Sequence, residues 1–199
     1  MAKRLTLLVV VLVFAVPAVA CAATVKVRVE GKTKNLFAPQ EITVTASNAM
    51  DALQQAAILG ELYYHVTTTS FGPYVDQVGL YGGTSDSGWA FKVNNISPPV
   101  GADKVTLADN DEVLWYYATF GATGGPPTLA VKPATKAGCY SAAAYDDNGK
   151  AASVSGLTWH VGSKKSVAGT TTTAFCPGKH TGLLIRATAT GAVQSNAVA

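Results

Sequence analysis

The sequence has few charged residues, since Asp, Glu, Lys and Arg make up 14% of its 199 residues and the formal net charge at pH 7 is +3. Nucleic-acid-binding domains carry a dense basic surface, so this composition excludes nucleic acid as a partner. A hydrophobic content of 48% also excludes a disordered chain, which cannot bury so much apolar surface. The composition therefore predicts a globular protein.

Long hydrophobic runs are also missing, with one short exception at the N-terminus. Lys3 and Arg4 precede an apolar stretch at 5–16, and small residues follow Pro17 at 18–23. A membrane-spanning helix needs about 20 apolar residues, which excludes this stretch as a span. A basic start, a short apolar core and a small-residue cleavage region are typical of a signal peptide. We therefore predict a signal peptide over 1–23 and a secreted or cell-surface protein.

Cysteine is scarce, with three residues in the chain. Cys139 and Cys176 are predicted to form one disulfide, which suits an exported protein. Cys21 lies in the cleavage region, so cleavage after Ala22 removes it with the signal peptide. In the alternative, residues 18–21 act as a lipobox and Cys21 becomes a lipidated N-terminus. Contact with a membrane is expected only through the signal peptide or this lipid anchor.

The sequence also lacks a recognisable catalytic or metal-binding motif. None of the three histidines, His65, His160 and His180, has a second His or Cys at metal-ligand spacing. No G-x-S-x-G motif is present, and the two cysteines are better used as a disulfide. The acidic stretch at 146–149 is interpreted as a hairpin turn rather than a calcium loop, because it lacks the later bidentate Glu. We expect no enzyme activity, no catalytic residue, no metal and no cofactor.

Glycine and proline cluster at 122–127, which predicts a linker between two domains over 24–121 and 128–199. Before the linker, strand patterns surround one helical pattern that starts at Ser47 or Asn48, with Asp51 as a capping partner, and ends at Gly60. This order predicts a mainly β, α+β fold with a β-grasp-like mixed sheet and one helix. The predicted strands of this domain lie at 25–30, 41–45, 63–68, 74–80, 89–94 and 112–117.

The second domain has no helical periodicity, and short apolar runs alternate with turn residues. We therefore predict a small antiparallel β-sandwich in which the disulfide joins two strands. The apolar runs lie at 129–131, 139–145, 157–161 and 183–185, with a further strand at 187–189.

Aromatic residues are concentrated in the first domain. Alternation along the strands places about half of them in the core, with Trp89 and Phe91 on one face together with Val93. The remainder would form an exposed aromatic surface, which soluble monomers tend to show where something binds.

An ordered set of segments at 66–75, 87–95, 101–102 and 109–117 resembles the transcobalamin C-terminal-like domain, and the match runs from about 25 to 120. The second domain more loosely resembles bacterial immunoglobulin-like modules. In the cobalamin carriers this module closes over the corrinoid through two stretches, which match 70–75 and 89–98 here. The residues that the resemblance implies as ligand-binding are Ser70, Phe71, Gly72, Tyr74, Val75, Trp89, Phe91, Val93, Asn94 and Asn95.

The resemblance implies a non-enzymatic, extracytoplasmic binding module for cobalamin, another corrinoid or a hydrophobic small ligand. Cobalamin would then be a ligand and not a cofactor. The carriers bury cobalamin against a large helical domain that this chain lacks, so a partner would supply the rest of a full corrinoid site. The alternative is a structural or interaction protein of the cell surface, which acts in adhesion or binds an envelope protein.

Overall fold

The structure is a computed structural model that describes residues 22–32, 35–122, 124–163 and 165–199, without the side chains of 35, 37–39 and 165. Cys21 and nearly all of the predicted signal peptide lie outside the described residues, so export and the lipid-anchor alternative stay predictions. β1 begins at Ala23, directly after the predicted cleavage position. In the described part of the chain, no helix is long and apolar enough to cross a membrane.

The first part of the chain contains one α-helix among seven strands; the sequence predicts the helix and six of the strands, but not the two-residue strand at Tyr81–Gly82. Its elements are β1 (Ala23–Glu30), β2 (Asn35–Ala46), α1 (Ala49–Leu59), β3 (Tyr64–Thr69), β4 (Gly72–Val78), β5 (Tyr81–Gly82), β6 (Ser87–Val93), a 3₁₀ turn (Ala102–Lys104) and β7 (Glu112–Thr119).

The main sheet of this part is mixed, with strand order β2-β1-β7-β6. β1 and β7 run parallel, with Val27 opposite Val113, whereas the two outer pairs are antiparallel. α1 packs across one face, where alternate residues of β1, β6 and β7 form a buried cluster with it. Strands β3, β4 and β5 form a second, antiparallel sheet. The predicted β-grasp-like arrangement is confirmed.

The start of α1 is fixed by two reciprocal hydrogen bonds. The Asn48 side chain accepts from the Asp51 amide at 2.8 Å, and the Asp51 carboxylate accepts from the Ser47 amide at 2.8 Å. Burial acts to raise the pKa of Asp51, but the hydrogen bonds from Ser47 and Gln55 outweigh it and hold that pKa below its ordinary value. Asn48 is thus the N-cap, and the capping interaction reaches back one residue further than the sequence predicts.

The second part of the chain is all β, and its core is separate from that of the first part. β8 (Thr128–Pro133) pairs with β9 (Tyr140–Tyr145), and β10 (Ser155–Val161) lies between β11 (Lys165–Ala168) and β12 (Ile185–Thr190). Two small antiparallel sheets facing one core agree with the predicted sandwich. The Cys139–Cys176 disulfide is confirmed, but it does not join two strands. Cys139 directly precedes β9, and Cys176 follows Phe175, which forms an isolated bridge with Tyr140.

Two details of the second part differ from the sequence prediction. The apolar run at 183–185 is not a strand at its start, because Gly182 has a φ of +74° and Leu183 remains partly exposed. The strand begins at its last residue and continues to Thr190 as β12. β11 was not predicted, since it is four residues long and carries little apolar pattern.

The outer face of the main sheet is covered by the second part of the chain. The alternation of β1 predicts a half-buried strand, yet Arg28 and Glu30 are both buried. Arg28 forms an ion pair with Glu30 at 3.1 Å and donates to the Gln194 carbonyl at 2.6 Å, while the Gln194 amide donates to Glu30 at 2.6 Å. Leu114 and Tyr116 pack against Val193 on the same face. The domain boundary and linker themselves remain predictions.

Candidate functional site

An apolar cavity of about 330 Å³ lies along β6, the edge strand of the main sheet. Its volume is at the lower end of the range for small-molecule pockets, which is roughly 300 to 1,000 Å³. β4 and the start of α1 form one side, and the loop after β6 forms the other. The lining residues are Met50, Pro73, Tyr74, Val75, Trp89, Ala90, Phe91, Ser97, Pro98, Gly101, Ala102, Trp115, Tyr116, Phe120 and Asp147.

The tryptophans of this cavity offer ring carbons and no hydrogen-bond donor. The Trp89 indole N–H donates to the Tyr81 carbonyl at 2.8 Å, and that of Trp115 donates to the Ala49 carbonyl at 3.1 Å. Phe91 stacks on Trp115, with ring centroids 5.1 Å apart and planes inclined by 28°. Because these bonds and contacts hold the rings in the core, they form a fixed apolar wall.

Tyr74 of β4 forms a more exposed part of the wall than the tryptophans, since it is 40% exposed. Its hydroxyl lies over Gly88 of β6, where a Cβ atom would be 2.5 Å from that oxygen. A side chain at position 88 would therefore push the Tyr74 ring away from β6. Glycine at this position lets the two walls approach each other.

The opposite wall is the loop that follows β6, and the second part of the chain holds it in place. The Ser97 amide donates to the Asp147 carbonyl at 2.8 Å, and the Ser97 hydroxyl donates to the Asp147 carboxylate at 3.2 Å. Ile96 bridges to Asn148, and a Cβ on Gly149 would lie 2.7 Å from the Ile96 side chain. The turn at 146–149 thus clamps the loop that carries Pro98.

Asp147 is the acidic residue of the cavity lining, and its side chain is 32% exposed. It accepts hydrogen bonds from the Gly125 amide at 2.9 Å and lies 3.3 Å from the Lys92 ammonium. Burial acts to raise the pKa of Asp147, but the bonds from Gly125, Lys92 and Ser97 together outweigh burial and lower it. Asp147 is therefore a carboxylate at neutral pH.

Lys92 lies behind Asp147 and is completely buried. Its ammonium donates to the Asp146 carbonyl at 2.9 Å and to Tyr145 O and Thr128 Oγ1, each at 3.3 Å. Burial lowers the pKa of Lys92 in spite of the neighbouring Asp147 carboxylate. This cation is enclosed by protein oxygens and does not line the cavity.

Tyr116 contributes a hydroxyl to the same region. Burial and the neighbouring Asp147 carboxylate raise the pKa of Tyr116 to about 12. The phenol therefore stays protonated and neutral across the physiological pH range. The charge that a ligand would meet in this cavity is that of Asp147.

Four of the ten residues predicted to bind ligand line the cavity, namely Tyr74, Val75, Trp89 and Phe91. The turn between β3 and β4 holds Ser70 and Phe71, and Phe71 is 97% exposed and outside the cavity lining. Gly72 also lies outside it, at the start of β4, with a φ of +108°.

The remaining three predicted residues end β6 or follow it. Val93 packs against the first core. Asn94 and Asn95 both have positive φ values, of 51° and 68°. The Asn94 side-chain amide donates to Asp111 at 2.7 Å and its oxygen accepts from the Glu112 amide at 2.9 Å, so this side chain joins the β6 and β7 ends. The ligand-binding roles themselves remain predictions.

Seven lining residues lie outside the two stretches predicted to contact ligand, namely Met50, Gly101, Ala102, Trp115, Tyr116, Phe120 and Asp147. Met50 is a helix position with no signal beyond its apolar side chain. Asp147 was interpreted as part of a turn, which the structure confirms, because Asp146 accepts from the Asn148 and Lys150 amides and Gly149 has a φ of +73°. No sequence signal shows that this turn folds back onto the first part of the chain.

The histidines lie outside the cavity lining and have local partners. His65 bonds to Asp76 on the neighbouring strand at 2.7 Å. His160 lies between Ser166 and Thr188, at 3.0 and 2.9 Å, and His180 bonds to the Tyr140 hydroxyl at 2.8 Å. Within the described ranges, no group of three or more His, Cys, Asp or Glu side chains is arranged to hold a metal ion.

A second cleft, of about 640 Å³, lies between the two parts of the chain. It is lined mainly by small residues, and its aromatic residue, Tyr117, has the Lys32 ammonium 4.8 Å from its ring centroid. Although this cleft is larger, it lacks the converging rings of the β6 cavity. We therefore take the smaller cavity as the candidate site.

Comparison with known proteins gives a match to one part of the chain. A family model described as a domain of unknown function (DUF4430) matches residues 46–119, which include the β6 cavity apart from Phe120 and Asp147. This match is compatible with the transcobalamin resemblance and does not establish it.

The structural and curated comparisons add little to this match. A crystal structure described as a "putative metal binding protein" from Ruminococcus gnavus aligns with a TM-score of 0.39 and 11% identity, over 50% of this chain and 99% of that one. No curated protein matches the sequence.

Proposed function

We propose that this protein is an extracytoplasmic, non-enzymatic binding module that holds the apolar part of a small ligand in the β6 cavity, with cobalamin or another corrinoid as the leading candidate. The observation that carries the proposal is the convergence of two separate stretches. The stretches 70–75 and 89–98 resemble the corrinoid-contacting segments of the transcobalamin C-terminal-like domain, and residues from both line one cavity.

The chemistry of the walls suits an apolar ligand. The indole N–H groups of Trp89 and Trp115 already donate to backbone carbonyls, and the Phe91 side chain has no polar atom. A water molecule in contact with these rings therefore gains few hydrogen bonds. Displacing such water by an apolar group is favourable. A cavity of about 330 Å³ accepts a ring or a side group and not a whole corrinoid. A corrinoid would therefore rest on this site with one edge inside it, and a partner would cover the rest.

The absence of enzyme activity is part of the proposal. The groups that line the cavity include one carboxylate and three hydroxyls, but neither a histidine nor a cysteine. Asp147 is held as a carboxylate by its bonds and Tyr116 as a neutral phenol by its raised pKa, so neither is tuned to exchange protons near pH 7. Such a site binds without assisting a reaction.

Titration of the pure protein with two ligands tests the proposal. N-phenyl-1-naphthylamine, a neutral apolar dye, should gain fluorescence on binding, and cobalamin should quench the tryptophans after correction for absorption with N-acetyltryptophanamide. Tyr74→Ala removes one wall and should weaken both titrations at least fivefold. Phe71→Ala is the matched control, because Phe71 is exposed and does not line the cavity.

Three results would contradict the proposal. If neither ligand binds the wild type, the module does not bind apolar ligands. Dye binding without cobalamin binding would remove the corrinoid and leave a binder of smaller ligands. Loss of binding in Phe71→Ala together with normal binding in Tyr74→Ala would place the site on the β3–β4 turn instead of the cavity.

The alternative, a structural or interaction protein of the cell surface, is favoured by two large apolar side chains that are almost fully exposed to solvent. Phe71 is 97% exposed between β3 and β4, and Leu80 is 95% exposed between β4 and β5. If these residues contact an envelope protein, Phe71→Ser and Leu80→Ser should abolish retention of the pure protein on washed envelopes, while Tyr74→Ala should not. Unchanged retention in both serine variants would reject this role.

A further inference from the structure

The β6 cavity is not built by the first part of the chain alone. Asp147 belongs to the turn between β9 and β10, and it lines the cavity together with residues of β4, β6 and β7. The same residue accepts from the Ser97 amide and hydroxyl and so fixes the loop that carries Pro98. A ligand in the cavity therefore touches a wall that the second part of the chain both supplies and positions.

The charges around Asp147 are arranged asymmetrically. The Lys92 ammonium is 3.3 Å from the carboxylate, but it is fully buried and its other hydrogen bonds go to three protein oxygens. About a third of the Asp147 side chain remains exposed. The negative partner of this pair thus faces the cavity, and the positive partner is enclosed behind it.

A carboxylate in an apolar site accepts hydrogen bonds and repels anions. Gly125, Ser97 and Lys92 use three of the about four lone-pair positions of the Asp147 carboxylate, which leaves one position for a ligand donor. A ligand N–H group that reaches Asp147 would make a charge-assisted hydrogen bond, whereas a ligand carboxylate would place two like charges side by side.

We infer that the second part of the chain completes the site and sets its selectivity: Asp147 makes the cavity prefer ring-bearing ligands with an ammonium or amide donor over ligands with a carboxylate. This inference rests on the proposed function, because it presupposes that the cavity binds the apolar part of a ligand. It assigns the polar end of the ligand to Asp147 and the apolar end to Phe91, Tyr74 and Trp115.

Three probes that share one phenylethyl group test this selectivity. 2-Phenylethylamine carries an ammonium, 3-phenylpropanamide a neutral donor and 3-phenylpropanoate an anion. Each competes with N-phenyl-1-naphthylamine for the full-length protein at pH 7 and fixed ionic strength. The amine and the amide should bind at least about tenfold more tightly than the propanoate, which corresponds to the gain from one charge-assisted hydrogen bond.

Variants then locate the source of the preference. Asp147→Asn should reduce the ratio of amine to propanoate affinity to about twofold or less. Because this change leaves the buried Lys92 without an anion, the double variant Lys92→Met with Asp147→Asn repeats the test without an unpaired charge. Asp76→Asn, which removes a carboxylate of β4 outside the cavity lining, should keep the wild-type ratio.

The outcomes separate the two proposals. Dye binding with equal affinity for amine and propanoate in the wild type would overturn the selectivity inference and leave the proposed function standing. A wild-type preference that persists in the double variant would also overturn it, since Asp147 would not be its source. Failure of the dye and of cobalamin to bind would overturn both proposals together.

Discussion

The ion pair between Lys92 and Asp147 joins the two parts of the chain, and its strength can be predicted from its surroundings. Asp147→Asn leaves the Lys92 ammonium with three neutral oxygens, at 2.9 to 3.3 Å, in a fully buried position. Removing one partner of a fully buried pair costs about 3 to 5 kcal/mol. Because Asp147 is 32% exposed and neutral acceptors remain, we expect a loss of about 2 kcal/mol in the free energy of unfolding.

The double variant Lys92→Met with Asp147→Asn should lose less stability than the sum of the losses of the two single variants. Lys92→Met fills the same space without a charge, so adding it to Asp147→Asn removes the unpaired ammonium. A double-mutant cycle should then give a coupling free energy of about 1.5 kcal/mol. Urea unfolding followed by tryptophan fluorescence measures it, since Trp89 and Trp115 report on the first core and Trp159 on the second.

An ion pair of the same residue types with an exposed ammonium provides the control. Lys104 lies 2.7 Å from Asp103, and their side chains are 72% and 23% exposed, whereas the Lys92 side chain is completely buried. The cycle of Lys104→Met with Asp103→Asn should give less than about 0.5 kcal/mol, as exposed pairs do. A coupling free energy for Lys92 and Asp147 no larger than that of this control would refute the argument that burial strengthens the pair.

Two further predictions concern stability. Replacing Cys139 and Cys176 by alanine opens a loop with a sequence separation of 37 residues. This change should lower the free energy of unfolding of the second part by about 3 to 4 kcal/mol, measured by Trp159 fluorescence. A loss below about 1 kcal/mol would contradict this prediction. The pKa of Asp51 in the folded state lies below its ordinary value of 3.8. The ionised Asp51 side chain therefore contributes fully to the free energy of unfolding above pH 3.8, and this contribution is lost as the pH falls through the folded-state pKa. Asp51→Asn should therefore lower the free energy of unfolding by about 1 kcal/mol at pH 7, measured by thermal unfolding, and should lose less stability than the wild type as the pH is lowered. An equal loss of stability at low pH in both proteins would exclude this carboxylate as a source of acid sensitivity.

The elements that local patterns specify were predicted well. The β1 alternation, the Asn48 cap with Gly60 at the end of α1, and the turn at 146–149 all depend on neighbours in sequence, and the structure has each of them. The disulfide was also predictable, because only two of the three cysteines lie outside the predicted signal peptide, which leaves one pairing.

What the sequence could not show depends on contacts between distant segments. Arg28, Glu30 and Lys92 occupy positions that a strand pattern assigns to solvent, yet all three are buried against the second part of the chain. Arg28 and Glu30 pair with each other, but their other hydrogen bonds go to Gln194, and the partners of Lys92 lie at 128 and 145–147. Alternation predicts which face a residue is on, but it does not predict what covers that face.

The same limit explains why some of the predicted ligand-binding residues line the cavity and others do not. The resemblance concerns a single domain, so it implied β4 and β6 residues such as Tyr74 and Phe91, which meet in the cavity. It also implied Phe71, which lies in the turn between β3 and β4, is exposed and does not line the cavity. Asp147 is outside the resembling segment, and yet it provides the charged wall. If the second part of the chain were an independent module, deleting it would leave ligand binding intact. The two hydrogen bonds of Asp147 to Ser97 join the two parts at the cavity, so the proposed function predicts that deleting the second part weakens ligand binding.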